Sequence, residues 1–115
     1  MILDKIDYAF DDEVVSKFCY NSSEKYIEVQ FEGCYIDGNY VESPYSLIIE
    51  NWYIAKSKLY GESEYSSLEN YLGIFSMILS LEKSHDKLEL SVNTVDDKYI
   101  ELLFEQSKVR VEKSI

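Results

Sequence analysis

The sequence predicts a mostly β protein of the α+β class: a twisted antiparallel sheet, folded as a sandwich or half-barrel, with one short helix packed on it. Three observations predict it. Residues 25–32 alternate strictly, with Ile27, Val29 and Phe31 on one parity and Glu28, Gln30 and Glu32 on the other, the period of a half-buried strand. The last third of the chain repeats that period in Leu88, Leu90 and Val92, then in residues 99–104 and 109–111, with short polar breaks between. Only one stretch, Ser66-Ser67-Leu68-Glu69, has the form of a helix start.

Taken in order, Ile6, Tyr8 and Phe10 share a parity and suggest a short strand or ordered lead-in. Asp11-Asp12-Glu13 reads as an acidic turn. Val14 to Tyr20 reads as a strand, with Val14, Ser16, Phe18 and Tyr20 on one side and Val15, Lys17 and Cys19 on the other. Asn21-Ser22-Ser23-Glu24 supplies turn chemistry, because short polar side chains bond back to local backbone. That turn would set Cys19 opposite Tyr26. The central strand follows, then a turn at Asp37-Gly38-Asn39, a stop at Pro44, and the apolar run Leu47-Ile48-Ile49 leading to Trp52, the only tryptophan. Residues 53–60 read as a strand with Ala55, Ser57 and Leu59 on one face, ended by Gly61. Glu62-Ser63-Glu64-Tyr65 is a polar loop.

In the helix-start segment, Leu68, Tyr71, Leu72 and Phe75 keep helical spacing, and Gly73 weakens it. The expectation is a helix of about two turns ending near Gly73, with an extension to Leu81 as the competing reading. Beyond it, Ser84-His85-Asp86, residues 95–98 and Gln106-Ser107-Lys108 look like hairpin connections of an antiparallel meander.

With 115 residues the chain has the length of a single domain, residues 1–115, and a composition of 46% hydrophobic and 15% aromatic residues argues for a packed core. Eleven tyrosines dominate the aromatics. Twenty-two acids against eleven bases give a net charge of −11 at pH 7. A field of that sign opposes nucleic acid and anionic membranes and favours basic partners. The first residues show no basic region followed by an apolar core, and no apolar run reaches the roughly 18 residues of a membrane span. A cytoplasmic protein with two reduced thiols, Cys19 and Cys34, is expected.

Catalytic signals are absent. His85 is the one histidine, and with two distant cysteines it makes no recognised zinc spacing. No nucleophile elbow, metalloprotease, P-loop or dinucleotide pattern occurs. Glu50, in an apolar run between Ile49 and Trp52, is the best carboxyl for a raised pKa. A strand-end glutamate, paired with a lysine or solvated, is the simpler reading. Asp37-Gly38-Asn39 lacks the later ligands of a calcium loop. No catalytic residue, metal site or cofactor is assigned.

Protein binding remains. Carboxylates steer encounter with a basic surface, and tyrosines fill pockets at low entropic cost. The partner-binding candidates are Glu28 and Glu32 on the polar face of the central strand, Tyr35, Asp37, Tyr40 and Glu42 in the adjoining loop, and Glu62, Glu64 and Tyr65 in the second loop. With its small size, acidity and the stretches IEVQFEGCYIDGNYVESPYSLIIENW and ELSVNTVDDKYIELLF, the chain resembles the immunity proteins of bacterial toxin–immunity systems, including contact-dependent growth inhibition. The resemblance implies a non-enzymatic inhibitor of one cognate toxin domain, often a nuclease, with a basic surface. It supplies no motif position from which to carry over functional residues. Two other classes stay open. One is an assembly subunit pairing through a strand edge, including a weak homodimer. The other is a small-ligand module in which Trp52 and tyrosines line a half-barrel mouth.

Overall fold

A computed structural model describes residues 8–113. These form a mostly β protein of twelve strands and one helical turn: β1 Tyr8–Ala9, β2 Glu13–Asn21, β3 Tyr26–Phe31, β4 Cys34–Ile36, β5 Asn39–Val41, β6 Tyr45–Glu50, β7 Ile54–Leu59, β8 Ser66–Ser67, α1 Leu68–Tyr71, β9 Phe75–Ser84, β10 Lys87–Thr94, β11 Tyr99–Glu105 and β12 Lys108–Lys113. Nine strands make one antiparallel sheet in the order β12-β6-β3-β2-β9-β10-β11-β7-β8, and β1-β4-β5 make a small second sheet. Of the lead-in strand, Ile6 lies outside the described residues, Tyr8 is in β1, and Phe10 is buried just beyond it.

The large sheet turns back on itself at the β2–β9 junction, where only Glu13↔Ile78 and Val14↔Met77 are paired. Its two halves face each other without closing into a barrel. Inward residues of β3, β6 and β12 (Ile27, Val29, Phe31, Leu47, Ile49, Val109, Val111) join those of β10 and β11 (Leu88, Leu90, Val92, Ile100, Leu102, Phe104) in one apolar cluster. Trp52 stands against Phe104 with ring centroids 5.1 Å apart, and Phe18 against Phe75 at 4.4 Å. Alternation in β3, β10 and β11 is what makes this possible, since each hides every second side chain.

Four sequence expectations are corrected. In β2 the ladder runs Val15↔Phe31 and then Lys17↔Gln30, so Ser16 is an extra residue. This bulge resets the parity: Val15 joins Phe18 and Tyr20 against the core, and Val14 is 62% exposed. The next turn begins one residue later than expected. The Asn21 Oδ1 accepts the Ser23 hydroxyl at 2.9 Å and the Glu24 N–H at 3.1 Å, which keeps Asn21 in the ladder opposite Tyr26 and puts Cys19 opposite Glu28. Both thiols are free.

The helix is a single turn, and the extension to Leu81 does not form: residues 75–84 are strand β9. Ser66 makes no helix cap. It lies in β8, and its hydroxyl donates to the Ser57 carbonyl oxygen at 3.3 Å. Buried Ser57 holds the turn instead. Its hydroxyl sits 2.8 and 2.9 Å from the carbonyl oxygens of Ser67 and Leu68 and accepts the Tyr71 N–H at 3.3 Å. Lastly, the meander ends at β11. Residues 106–107 are a crossover rather than a hairpin, and β12 pairs with β6 in the other half, Val109↔Ile49 and Val111↔Leu47. The free edge of β11 is taken by β7.

Candidate functional site

The small sheet grows from the strongest turn signal in the chain. Asp37 and Gly38 both take positive φ, 50° and 84°, the two-residue hairpin geometry whose twist matches paired strands. They join β4 to β5 with Ile36 opposite Asn39 and Tyr35 opposite Tyr40. The two tyrosine rings meet edge to face at 5.2 Å while remaining 45% and 51% exposed. Gly33, at the entrance to β4, leaves the space that the Tyr40 ring occupies.

β1 completes the sheet through Tyr8↔Ile36 and Ala9↔Tyr35. Packing beneath it is apolar and aromatic: Cys34 and Phe10 are buried, Phe10 stacks on Phe31 at 4.7 Å, and Tyr8 contacts Phe10 and Tyr45 at 6.2 and 6.1 Å. The hairpin is therefore held from below, and its tyrosines and acids are left facing solvent.

Its electrostatics are one-sided. Burial raises the Glu13 carboxyl above its ordinary value, and the Asp12 carboxylate raises it further. Tyr40 is pushed up by desolvation and then by Glu13 and Glu42. Tyr8 is pushed up by burial, by Tyr45 and Cys34, and by Asp37. No positive charge contributes at any of the three, among the described residues. The Cys34 thiol is pushed up to about 11 by burial and then by Glu13, so it stays protonated and is no nucleophile at neutral pH.

Several acids elsewhere pair with cations. Arg110 bonds Glu50 through Nε at 2.8 Å and also pairs with Glu112. Lys58 Nζ lies 3.7 Å from Glu101, and Lys98 Nζ 3.7 Å from Asp96. Glu50 is thus a strand-end glutamate, as the simpler expectation had it, but its partner is an arginine rather than a lysine or solvent.

The expected contact residues separate into three places. Tyr35, Asp37, Tyr40 and Glu42 come together on the small sheet, and Glu32 is exposed in the short connection into it. Glu28 is half-buried on the outer face of β3, where its carboxylate accepts the Tyr26 hydroxyl and, at 3.0 Å, the Ser46 hydroxyl. On that face Ile48 is buried between Glu28 and Arg110 in the ladder. Glu62, Glu64 and Tyr65 belong to the other half of the sheet, where Tyr65 lies under Lys58 Nζ at 4.8 Å. Tyr8, Tyr45, Asp12 and Glu13 were missed as site residues. Their acid-rich, tyrosine-bearing text was visible, but the long-range pairing of β1 with β4 was not.

The arrangement can attract cations. His85 is fully exposed in the β9–β10 turn, and among the described residues no three His, Cys, Asp or Glu side chains converge as a metal site. The cavities are open surface grooves. No helix of the described residues is long and apolar enough to cross a membrane. The sequence matches no protein-family model, and neither a curated protein nor a solved structure matches it.

Proposed function

We propose that this protein is a non-catalytic inhibitor of the immunity type, which docks a basic domain of a cognate toxin against its small sheet. The observation that carries the reading is the exposed, edge-to-face pair Tyr35 and Tyr40, with Glu13 and Glu42 acting on Tyr40. Such a surface accelerates encounter with a positive partner, and two exposed tyrosines give that partner rigid contact area. The small size and acidity shared with immunity proteins point the same way.

The test is a tagged pull-down with the product of the neighbouring gene co-expressed, followed by association kinetics. A one-to-one complex weakened by salt is expected. Asp37→Lys with Glu42→Lys should slow association by about tenfold at low salt and flatten its salt dependence, with folding intact. Recovery of self-associated protein alone, or an association rate indifferent to both reversals, would overturn the proposal.

A further inference from the structure

The large sheet carries a second feature at the Tyr26–Glu50 end of its β3–β6 ladder, opposite the Phe31–Tyr45 end where the small sheet grows. An open groove of about 360 Å³ lies there, with Tyr20, Lys25, Trp52, Tyr53, Ala55 and Glu69 in its lining. That volume is in the range of small-molecule sites. Trp52 is its fixed point. The Asn51 N–H donates to the Lys25 carbonyl oxygen at 2.9 Å and the Tyr53 N–H to the Glu105 carbonyl oxygen at 3.0 Å. The backbone is therefore held on both sides of Trp52, and its ring packs on Phe104.

Trp52 is only 6% exposed, yet its indole N–H has no hydrogen-bond partner among the described residues. Buried tryptophan nitrogens ordinarily find one. No buried side-chain nitrogen or oxygen of the described residues lacks a partner, so this nitrogen belongs to the small part of the ring that reaches the surface, where Trp52 lines the groove. The ring thus presents a fixed, unused donor to whatever occupies that space.

Beside it is an ammonium without a counter-ion. Lys25 takes a positive φ of 50° at the end of the β2–β3 turn, and its Nζ donates to the Trp52 carbonyl oxygen at 3.3 Å. That bond brings the charge to the same residue and occupies one of three donors. Lys25 makes no ion pair among the described residues. The one carboxylate in the groove's lining, Glu69, is too distant to pair with it and accepts the Tyr20 hydroxyl at 2.9 Å instead.

We infer that this groove binds a small organic monocarboxylate, which takes hydrogen bonds from the Lys25 ammonium and the Trp52 indole N–H and lays its apolar body on Tyr53 and Ala55. A carboxylate offers an oxygen to each donor, and hydrogen bonds to an ionised group are the strong ones. The surroundings set the charge of the ligand at one: Glu69 across the groove and the net charge of −11 oppose phosphates and other polyanions. The groove shares no residue with the small sheet, so this site goes beyond the docking of a basic domain and stands or falls separately from it.

The probe is hydrocinnamate, a phenyl ring joined to a carboxylate by two methylenes, titrated into the isotope-labelled protein. Trp52 is the only tryptophan, so a single indole N–H signal reports on the groove. That signal should move downfield and saturate, with a dissociation constant on the order of a millimolar for so small an acid. The primary amide of the same acid, which keeps the shape and loses the charge, should bind about tenfold more weakly. Lys25→Met should weaken the acid by about fivefold and leave the amide unchanged, a difference that a purely structural lysine would not produce. Glu69→Gln, which removes a like charge from the opposite wall, should tighten binding of the acid. Amide dispersion of each variant reports that it is folded. An indole signal that does not move, equal affinity for acid and amide, equal loss of both in Lys25→Met, or shifts confined to the small sheet would each overturn the assignment.

Discussion

The position of Tyr40 can be tested without a partner, through Gly33. A Cβ built on Gly33 would fall 2.5 Å from the Tyr40 hydroxyl oxygen, 2.8 Å from its Cζ and 2.8 Å from the Val41 carbonyl oxygen. The first two contacts belong to a ring that can swing aside, at the cost of its edge contact with Tyr35, about 0.5–1.5 kcal/mol. The third is backbone. Val41 is paired with Cys34, which is fully buried, so the carbonyl cannot move without shifting the β4–β5 ladder. Overpacking of this kind costs about 1–3 kcal/mol, and with both contributions Gly33→Ala should destabilise by about 2 kcal/mol. In urea, with a slope of roughly 1.5 kcal/mol per molar, the midpoint should fall by about 1.3 M.

A double-mutant cycle separates the two parts. Tyr40→Ala removes the ring clash and leaves the carbonyl clash, so adding it to Gly33→Ala should recover no more than about half of the loss. Amide shift changes in Gly33→Ala should stay within the small sheet and the residues beneath it. A stability within about 0.3 kcal/mol of the parent would refute the close approach. Full recovery in the double variant would refute the backbone part alone.

Other expectations follow from the titrating groups. Tyr20 and Tyr26 are each pushed up to about 12, by burial and then by their hydrogen bonds to Glu69 and Glu28. A folded value above the unfolded one of about 10 means stability is complete below that pH and lost as pH rises toward about 12. Tyr20→Phe should flatten that alkaline loss in thermal unfolding, and two tyrosines should show phenolate absorbance late in a titration of the folded protein. Cys19 is exposed and Cys34 buried, so a thiol reagent should modify one cysteine quickly and the second only on unfolding. Two thiols reacting at one fast rate would contradict that burial. Glu13 has its pKa raised by burial and by Asp12, so its ionisation opposes folding and stability falls as pH rises through its folded value. Glu13→Gln should therefore unfold at a higher temperature than the parent at neutral pH, and the gap should shrink on acidification.

Strands whose alternation is uninterrupted were legible from the text. β3, β10 and β11 bury Ile27, Val29 and Phe31, Leu88, Leu90 and Val92, and Ile100, Leu102 and Phe104 as their parity requires. Parity failed in β2 because an extra residue at Ser16 leaves no local trace; it is defined only by what Phe31 and Gln30 pair with across the ladder. The 66–84 region misled for a related reason. Ser66 and Glu69 have capping-box spacing, but Ser57, distant in sequence, holds the turn and Glu69 accepts the Tyr20 hydroxyl at 2.9 Å. β12 read correctly as a strand, yet its neighbour depended on β7 already occupying the edge of β11. The same limit applies to the site. Tyr35, Asp37, Tyr40 and Glu42 are neighbours in sequence and could be grouped from it; Tyr8 joins them only through the pairing of β1 with β4, which the sequence does not show.

The distribution of charge matters more than its sum. A surface evolved only for solubility gains by interleaving signs, because like charges held together raise the energy of the folded state. Around Arg110, Lys58 and Lys98 the chain does interleave them. On the small sheet carboxylates act on one another's neighbours: burial and then Asp12 raise Glu13, and desolvation followed by Glu13 and Glu42 raises Tyr40. The sheet's attachment is apolar: Phe10 and Cys34 are buried beneath a hairpin whose own turn needs only Asp37 and Gly38. Residues that hold the hairpin are thus different from those it displays. Tyr35, Tyr40 and Glu42 can therefore be substituted without reopening the core, and a basic partner of the kind proposed would, by binding only the folded state, stabilise it.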